Sequence, residues 1–167
     1  MKLNLGCGGD IREGYVNADK NRKSRKIKYC DIDERLCWED NTFDEAIAFH
    51  ILEHAKNREH IINELWRVCK PCSRIFVKVP HASNPRALTD LTHYSAWDSV
   101  TFDKFKPSHK RHYISYVKFN IVEKEFSKML FCKWLKGFAN AHKEFWEIKM
   151  SRLFPIQEIS YTLEVIK

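Results

Sequence analysis

Four of the chain's five glycines, Gly6, Gly8, Gly9 and Gly14, lie within its first fourteen residues. Glycine is needed where backbone must bend into unusual conformations or approach another group closely. Just before this cluster, Lys2-Leu-Asn-Leu5 alternates polar and apolar residues, which reads as a short strand. A strand running straight into a glycine-rich turn is how ligand-binding α/β folds begin, so the functional backbone is expected at this end.

The rest of the chain continues that pattern. Tyr15–Asp19 reads as a second strand ending in a carboxylate, residues 26–32 as a third, and Phe43–Phe49 as a fourth after the Asn41-Thr42 turn. Residues 57–70 have apolar positions three and four apart (Ile61, Leu65, Val68), with Asn57 as the N-cap and Pro71 as the stop, so they predict a helix. Arg74–Pro80 follows as a fifth strand. Residues 81–115 show no sustained period and are expected to form a lid or binding loop. Residues 117–122 read as strand, 125–147 as helix and 160–167 as a closing strand. The expected architecture is one α/β domain over 1–167 with a mostly parallel sheet. In such sheets ligands sit beyond the C-terminal strand ends, where strand order reverses. The glycines, Asp19, Asp31 and His50 all fall at that edge.

The glycine loop also limits the ligand. The dinucleotide fingerprint GxGxxG would need its third glycine at position 11, which is Ile11. The stretch from Gly9 to Gly14 is too short for a crossover helix, so no helix N-terminus is on hand for a pyrophosphate. An adenosine ligand without phosphates fits better, and S-adenosylmethionine is the candidate. Gly6 and Gly8 would lie against its methionine part, with the amide of Cys7 between them. Asp19 would accept the ribose hydroxyls through its two oxygens. Asp31 would accept the adenine amino group, with Ile32 packed on the ring.

Taken in order, Leu3–Gly8, Gly14–Asp19, Cys30-Asp-Ile32, Asn41–Glu45, His50-Ile-Leu-Glu-His54 and Glu64–Pro71 resemble the successive motifs of small class I SAM-dependent methyltransferases. The resemblance covers about residues 2–80. It implies a Rossmann-like, seven-stranded sheet whose last strand is antiparallel, a place residues 160–167 can fill. It also implies that His50 lines the methyl-donor pocket. Asp90-Leu-Thr-His93 resembles an Asp-x-x-His stretch that follows the fifth strand in such proteins. One departure stands out: Pro71-Cys72-Ser73 replaces the family's Pro-Gly-Gly.

For catalysis, His50 is the first candidate, as base or orienter, and His93 in the expected lid is the second. Glu53 and His54 read as structural, or as supporting the site from behind its lining residues. Cys69-x-x-Cys72 stands alone, without the second pair a zinc site needs, so no metal is expected. The net charge of +7 is uneven, since residues 104–152 hold 12 Lys and Arg against 4 Asp and Glu. Aromatics interleave this basic stretch. It reads first as a solvated face over a core, then as a site for an anionic or sugar-type small acceptor, and less readily as a nucleic-acid or membrane surface. The rival reading is a non-catalytic binding module whose basic tail engages a partner or polyanion. No apolar run is long enough to span a membrane and no secretion leader is evident, so six cysteines suggest reduced thiols and a cytoplasmic protein.

Overall fold

Short apolar strands set the frame. In the computed structural model, which describes all residues except 22–23, 110–115 and 130–132, β1 (Lys2–Leu5), β2 (Tyr15–Asp19), β3 (Ile27–Tyr29) and β4 (Phe43–Phe49) pair in parallel. Leu3, Leu5, Ala18, Ala46 and Ala48 are buried, as expected for strands of a parallel sheet covered on both faces. β5 (Cys69–Pro80) extends the sheet on the other side of β4. The seven strands lie in the order β3-β2-β1-β4-β5-β7-β6. β7 (Ile156–Ile166) is antiparallel to both β5 and β6 (Lys118–Met129), so it alone opposes the rest. Strand order reverses at β1, between β2 and β4, and opens a crevice at the C-terminal ends of those strands.

Helix α1 (Arg58–Val68) forms where the spacing predicts it. Oδ1 of Asn57 accepts from the N–H groups of Glu59 and His60, both at 3.1 Å, which satisfies two donors that a helix start leaves unpaired. Ile61, Ile62, Leu65 and Val68 enter the core. The helix ends at Val68, three residues ahead of Pro71. Cys72 has a φ of +61°, so a cysteine adopts the left-handed backbone at the position where the family pattern has glycine.

Two expectations change. Residues 118–129, the first part of the expected 125–147 helix included, form the long strand β6. Its pairing with β7 shifts register between Ile121 and Glu123 and at two later points near Lys128. Such bulges break the two-residue alternation and hide a strand from a periodicity reading. Helices follow only at α3 (Lys133–Ala141) and α4 (Lys143–Phe145), which runs on as a wider-wound turn over Trp146–Met150. The 81–115 segment carries more structure than its sequence suggests. Asn84 caps α2 (Pro85–Thr89), while Trp97, Phe102 and Phe105 are anchored in the core. The Tyr161 hydroxyl donates to the Asp98 carbonyl and ties the segment to β7.

Candidate active site

The crevice at the β1 end holds an open cavity of about 590 Å³. Gly6, Gly8, Asp19, Asp31, Ile32 and His50 all line it, so six of the seven residues proposed from sequence for the cofactor come together. Cys7 does not. It is buried, and its N–H donates to the Ala18 carbonyl at 3.1 Å, which also receives the Gly6 N–H at 2.8 Å. Its place is behind the wall, anchoring the loop to β2.

Local physics explains the glycines. Gly6 has a φ of +67°, and a Cβ built on it would stand 2.3 Å from Cγ1 of Ile51. Gly6 is therefore required both by backbone conformation and by the close approach of the segment after β4. Gly8, at φ +52°, meets nothing within 4 Å of an added Cβ, and its backbone faces open space. The Gly8 N–H donates to Oδ2 of Asp19 at 2.8 Å, and Oδ1 accepts from the N–H of Asn21 at 2.7 Å. Each oxygen keeps a lone pair for a hydroxyl donor. Asp31 receives Lys20 Nζ at 2.6 Å and the Asp33 N–H at 3.1 Å. The bond from Lys20 holds the Asp31 carboxyl below its ordinary pKa.

His50 is the junction of the site. Its φ is +52°, unusual for a residue with a side chain, and its N–H is held by the Lys78 carbonyl at 2.8 Å. The imidazole lies 3.6 Å from Glu53 on one side and 3.6 Å from Glu158 on the other. The Glu53 contact raises its pKa above the usual imidazole value, against the effect of burial.

A second cavity of about 610 Å³ adjoins the first. His50 and His54 line both. His93, the other catalytic candidate, lines only the second, together with Glu53, Arg86, Lys128 and Glu158. The His54 and His93 rings meet edge to face, with centroids 4.8 Å apart. Sequence reading missed the part played by Glu53 and His54. The i, i+3, i+4 spacing of His50, Glu53 and His54 is the signal that could have revealed one cluster.

The methyltransferase-domain family matches residues 3–77, the stretch that builds this crevice. That stretch is similar to a methyltransferase domain. The fold is shared with S-adenosylmethionine-dependent methyltransferases among the solved structures. Among solved structures, the YcgJ protein from Bacillus subtilis is 12% identical with a TM-score of 0.65, covering 99% of this chain and 92% of its own. A SAM-dependent methyltransferase from Archaeoglobus fulgidus is 18% identical with a TM-score of 0.58, covering 98% and 85%. Another from Mesorhizobium loti is 14% identical with a TM-score of 0.60, covering 98% and 89%. At these identities the likeness is one of fold. No curated protein matches the chain.

The matched stretch also holds residues that stand apart from the cavity. In its Glu64-Leu-Trp-Arg67 motif, Arg67 donates to both Glu64 oxygens at 2.8 Å and to the carbonyls of Leu36 and Trp38. That motif fastens the loop before β4 to α1 and takes no part in the cavity. In the basic stretch, Lys136 pairs with Glu125 at 2.7 Å and Lys124 donates to the Ser99 carbonyl at 2.9 Å. Lys110, Arg111 and His112 lie outside the described residues. Among the described residues no helix is long and apolar enough to cross a membrane.

Proposed function

We propose that the domain transfers a methyl group from S-adenosylmethionine to a small acceptor held in the second cavity, with His50 at the shared wall. The observation that carries this reading is the pair of adjoining cavities that have His50 and His54 in common. One cavity offers what an adenosine ligand needs: the open Gly8 backbone, the Asp19 carboxylate at the end of β2, and Asp31 beside Ile32. Its volume is within the usual range for small-ligand sites, about 300–1,000 Å³.

When bound, the sulfonium of S-adenosylmethionine supplies a methyl carbon that leaves sulfur as a bond forms to the acceptor. The protein's own task is alignment of acceptor against donor. Asp19 fixes the ribose end, and the Gly6–Gly8 backbone fixes the methionine end. His50 orients the acceptor and, when neutral, receives its proton. Arg86, Lys128, Asp90 and Glu158 line the second cavity, a mixed lining suited to a polar acceptor of anionic or sugar type. The 81–115 segment supplies His93 and Arg86 to that wall, which is the part of a lid over the acceptor.

The test is a labelled methyl-transfer screen across sugars, anionic metabolites and nucleic acids, with calorimetry of S-adenosylmethionine and its demethylated product. Binding of both, with label appearing in one class of acceptor, supports the reading. Tight binding without transfer to any acceptor supports a binding module instead, and failure to bind either ligand overturns both.

A further inference from the structure

We propose that Glu53, His54 and His93 form a binding site for a divalent first-row transition-metal ion in the wall of the second cavity. One ligand atom from each lies within 4.8 Å of the others, the one such grouping found among the described residues. Two imidazoles and a carboxylate are a donor set suited to zinc, cobalt, iron or nickel ions.

Three independent features point to a ligand. Glu53 is buried, and its Oε2 has no hydrogen-bond partner among the described residues. A carboxylate oxygen cut off from water without a partner is costly, and a cation relieves that cost. Nδ1 of His54 lies 3.0 Å from the Thr92 carbonyl, and Nδ1 of His93 lies 3.2 Å from the Ala87 carbonyl. A carbonyl only accepts, so each Nδ1 carries the proton and each Nε2 presents a lone pair. Metal-binding histidines are commonly held this way, by an outer carbonyl that sets tautomer and ring angle. Finally, all three residues line the second cavity, so a bound ion would keep coordination positions open toward it.

The ligands come from two places: the turn after β4 and the loop after α2. The spread of 4.8 Å exceeds the roughly 3.3 Å expected between ligands of a tetrahedral ion with bonds of about 2 Å. Small tilts of the His54 and His93 rings, with both Nδ1 bonds kept, close that gap. Asp90, with Oδ2 3.7 Å from Nε2 of His93, competes with the ion for that ring or joins it as a fourth ligand. The proposal stands apart from methyl transfer, because cation binding needs neither donor nor acceptor.

The experiment is titration of the full chain with Co²⁺ and Zn²⁺ alone, in a Cys37→Ser, Cys72→Ser, Cys132→Ser background that removes the two exposed thiols among the described residues and Cys132, which lies outside them. The expected result is one equivalent of Co²⁺ with a visible absorption band, displaced by Zn²⁺. His93→Gln and Glu53→Gln should each weaken binding tenfold or more, while circular dichroism confirms that both are folded. No saturable binding of either ion overturns the site. So does binding that both variants retain, or a near-ultraviolet thiolate band as the only signal. If Glu53→Gln does not fold, the exposed-loop variant His93→Gln decides alone.

Discussion

The Gly8 N–H donates to Oδ2 of Asp19 at 2.8 Å, so one carboxylate both closes the glycine loop and faces the cavity. Asp19→Ala removes the loop's tether and the ribose acceptor together. S-adenosylmethionine affinity should fall at least tenfold, since charged hydrogen bonds contribute about 1.5–3 kcal/mol each. Calorimetry measures this directly, and an unchanged affinity would refute the ribose assignment.

Gly6→Ala should destabilise the fold by about 2–4 kcal/mol, combining left-handed strain with overpacking against Ile51. Ile51→Ala clears the space, so the double variant should lose less than the two single losses added. Urea unfolding of the four proteins reads the coupling, and strict additivity would mean that Ile51 does not enforce the glycine.

Cys72→Gly should stabilise the protein by about 0.5–1 kcal/mol. The left-handed φ of +61° costs a side-chain-bearing residue more than glycine loses in unfolded-chain entropy. A rise in midpoint denaturant concentration with an unchanged slope is the expected readout. A fall would mean that the thiol makes a contact that matters.

Burial alone would raise the Glu64 carboxyl, but bonds from Arg67 and the Leu36 N–H outweigh it and hold the folded-state pKa below its ordinary value. The pair's stability is then fully present above the unfolded-state value, about 4.3. It is lost as pH falls through the lower folded-state value. Glu64→Gln should flatten the acid side of the stability curve in this window. Arg67→Ala should cost about 3 kcal/mol near neutrality by leaving Glu64 buried and unpaired. Denaturation at a series of pH values checks both signs.

His50→Asn should leave stability unchanged or slightly raised, because asparagine tolerates the left-handed backbone better. Methyl transfer should drop about 10²–10⁴-fold if the imidazole handles a proton. S-adenosylmethionine affinity should move only a few-fold. Parallel melting, binding and transfer measurements separate these effects, and retained transfer would reduce His50 to a wall residue.

The first half of the chain was legible because short strands end at or just before residues that line the cavity. Asp19, Asp31 and His50 stand at one edge by virtue of parallel strand direction, which simple alternation reveals. Cys7 is the small packing residue its place between the glycines suggested, but its N–H is taken by the Ala18 carbonyl, a bond that adjacency in sequence does not reveal. β6 escaped because its bulges spoil the alternation, and its lysines and aromatics resemble a helix face. Glu53 and His54 read as structural because their partner, His93, arrives from a loop with no period of its own. Burial of an unpartnered carboxylate oxygen is a property of the folded chain, and no spacing rule announces it.

β7 lies between β5 and β6 and meets β5 over seven residue pairs from Arg74↔Glu164 to Pro80↔Glu158. Beside it, Trp66 of α1 donates to the Ile166 carbonyl at 2.9 Å. During synthesis the matched 3–77 stretch therefore emerges with one sheet edge bare, a state prone to sticking to other strands. The nascent chain must wait for β7 to leave the ribosome before its sheet can close.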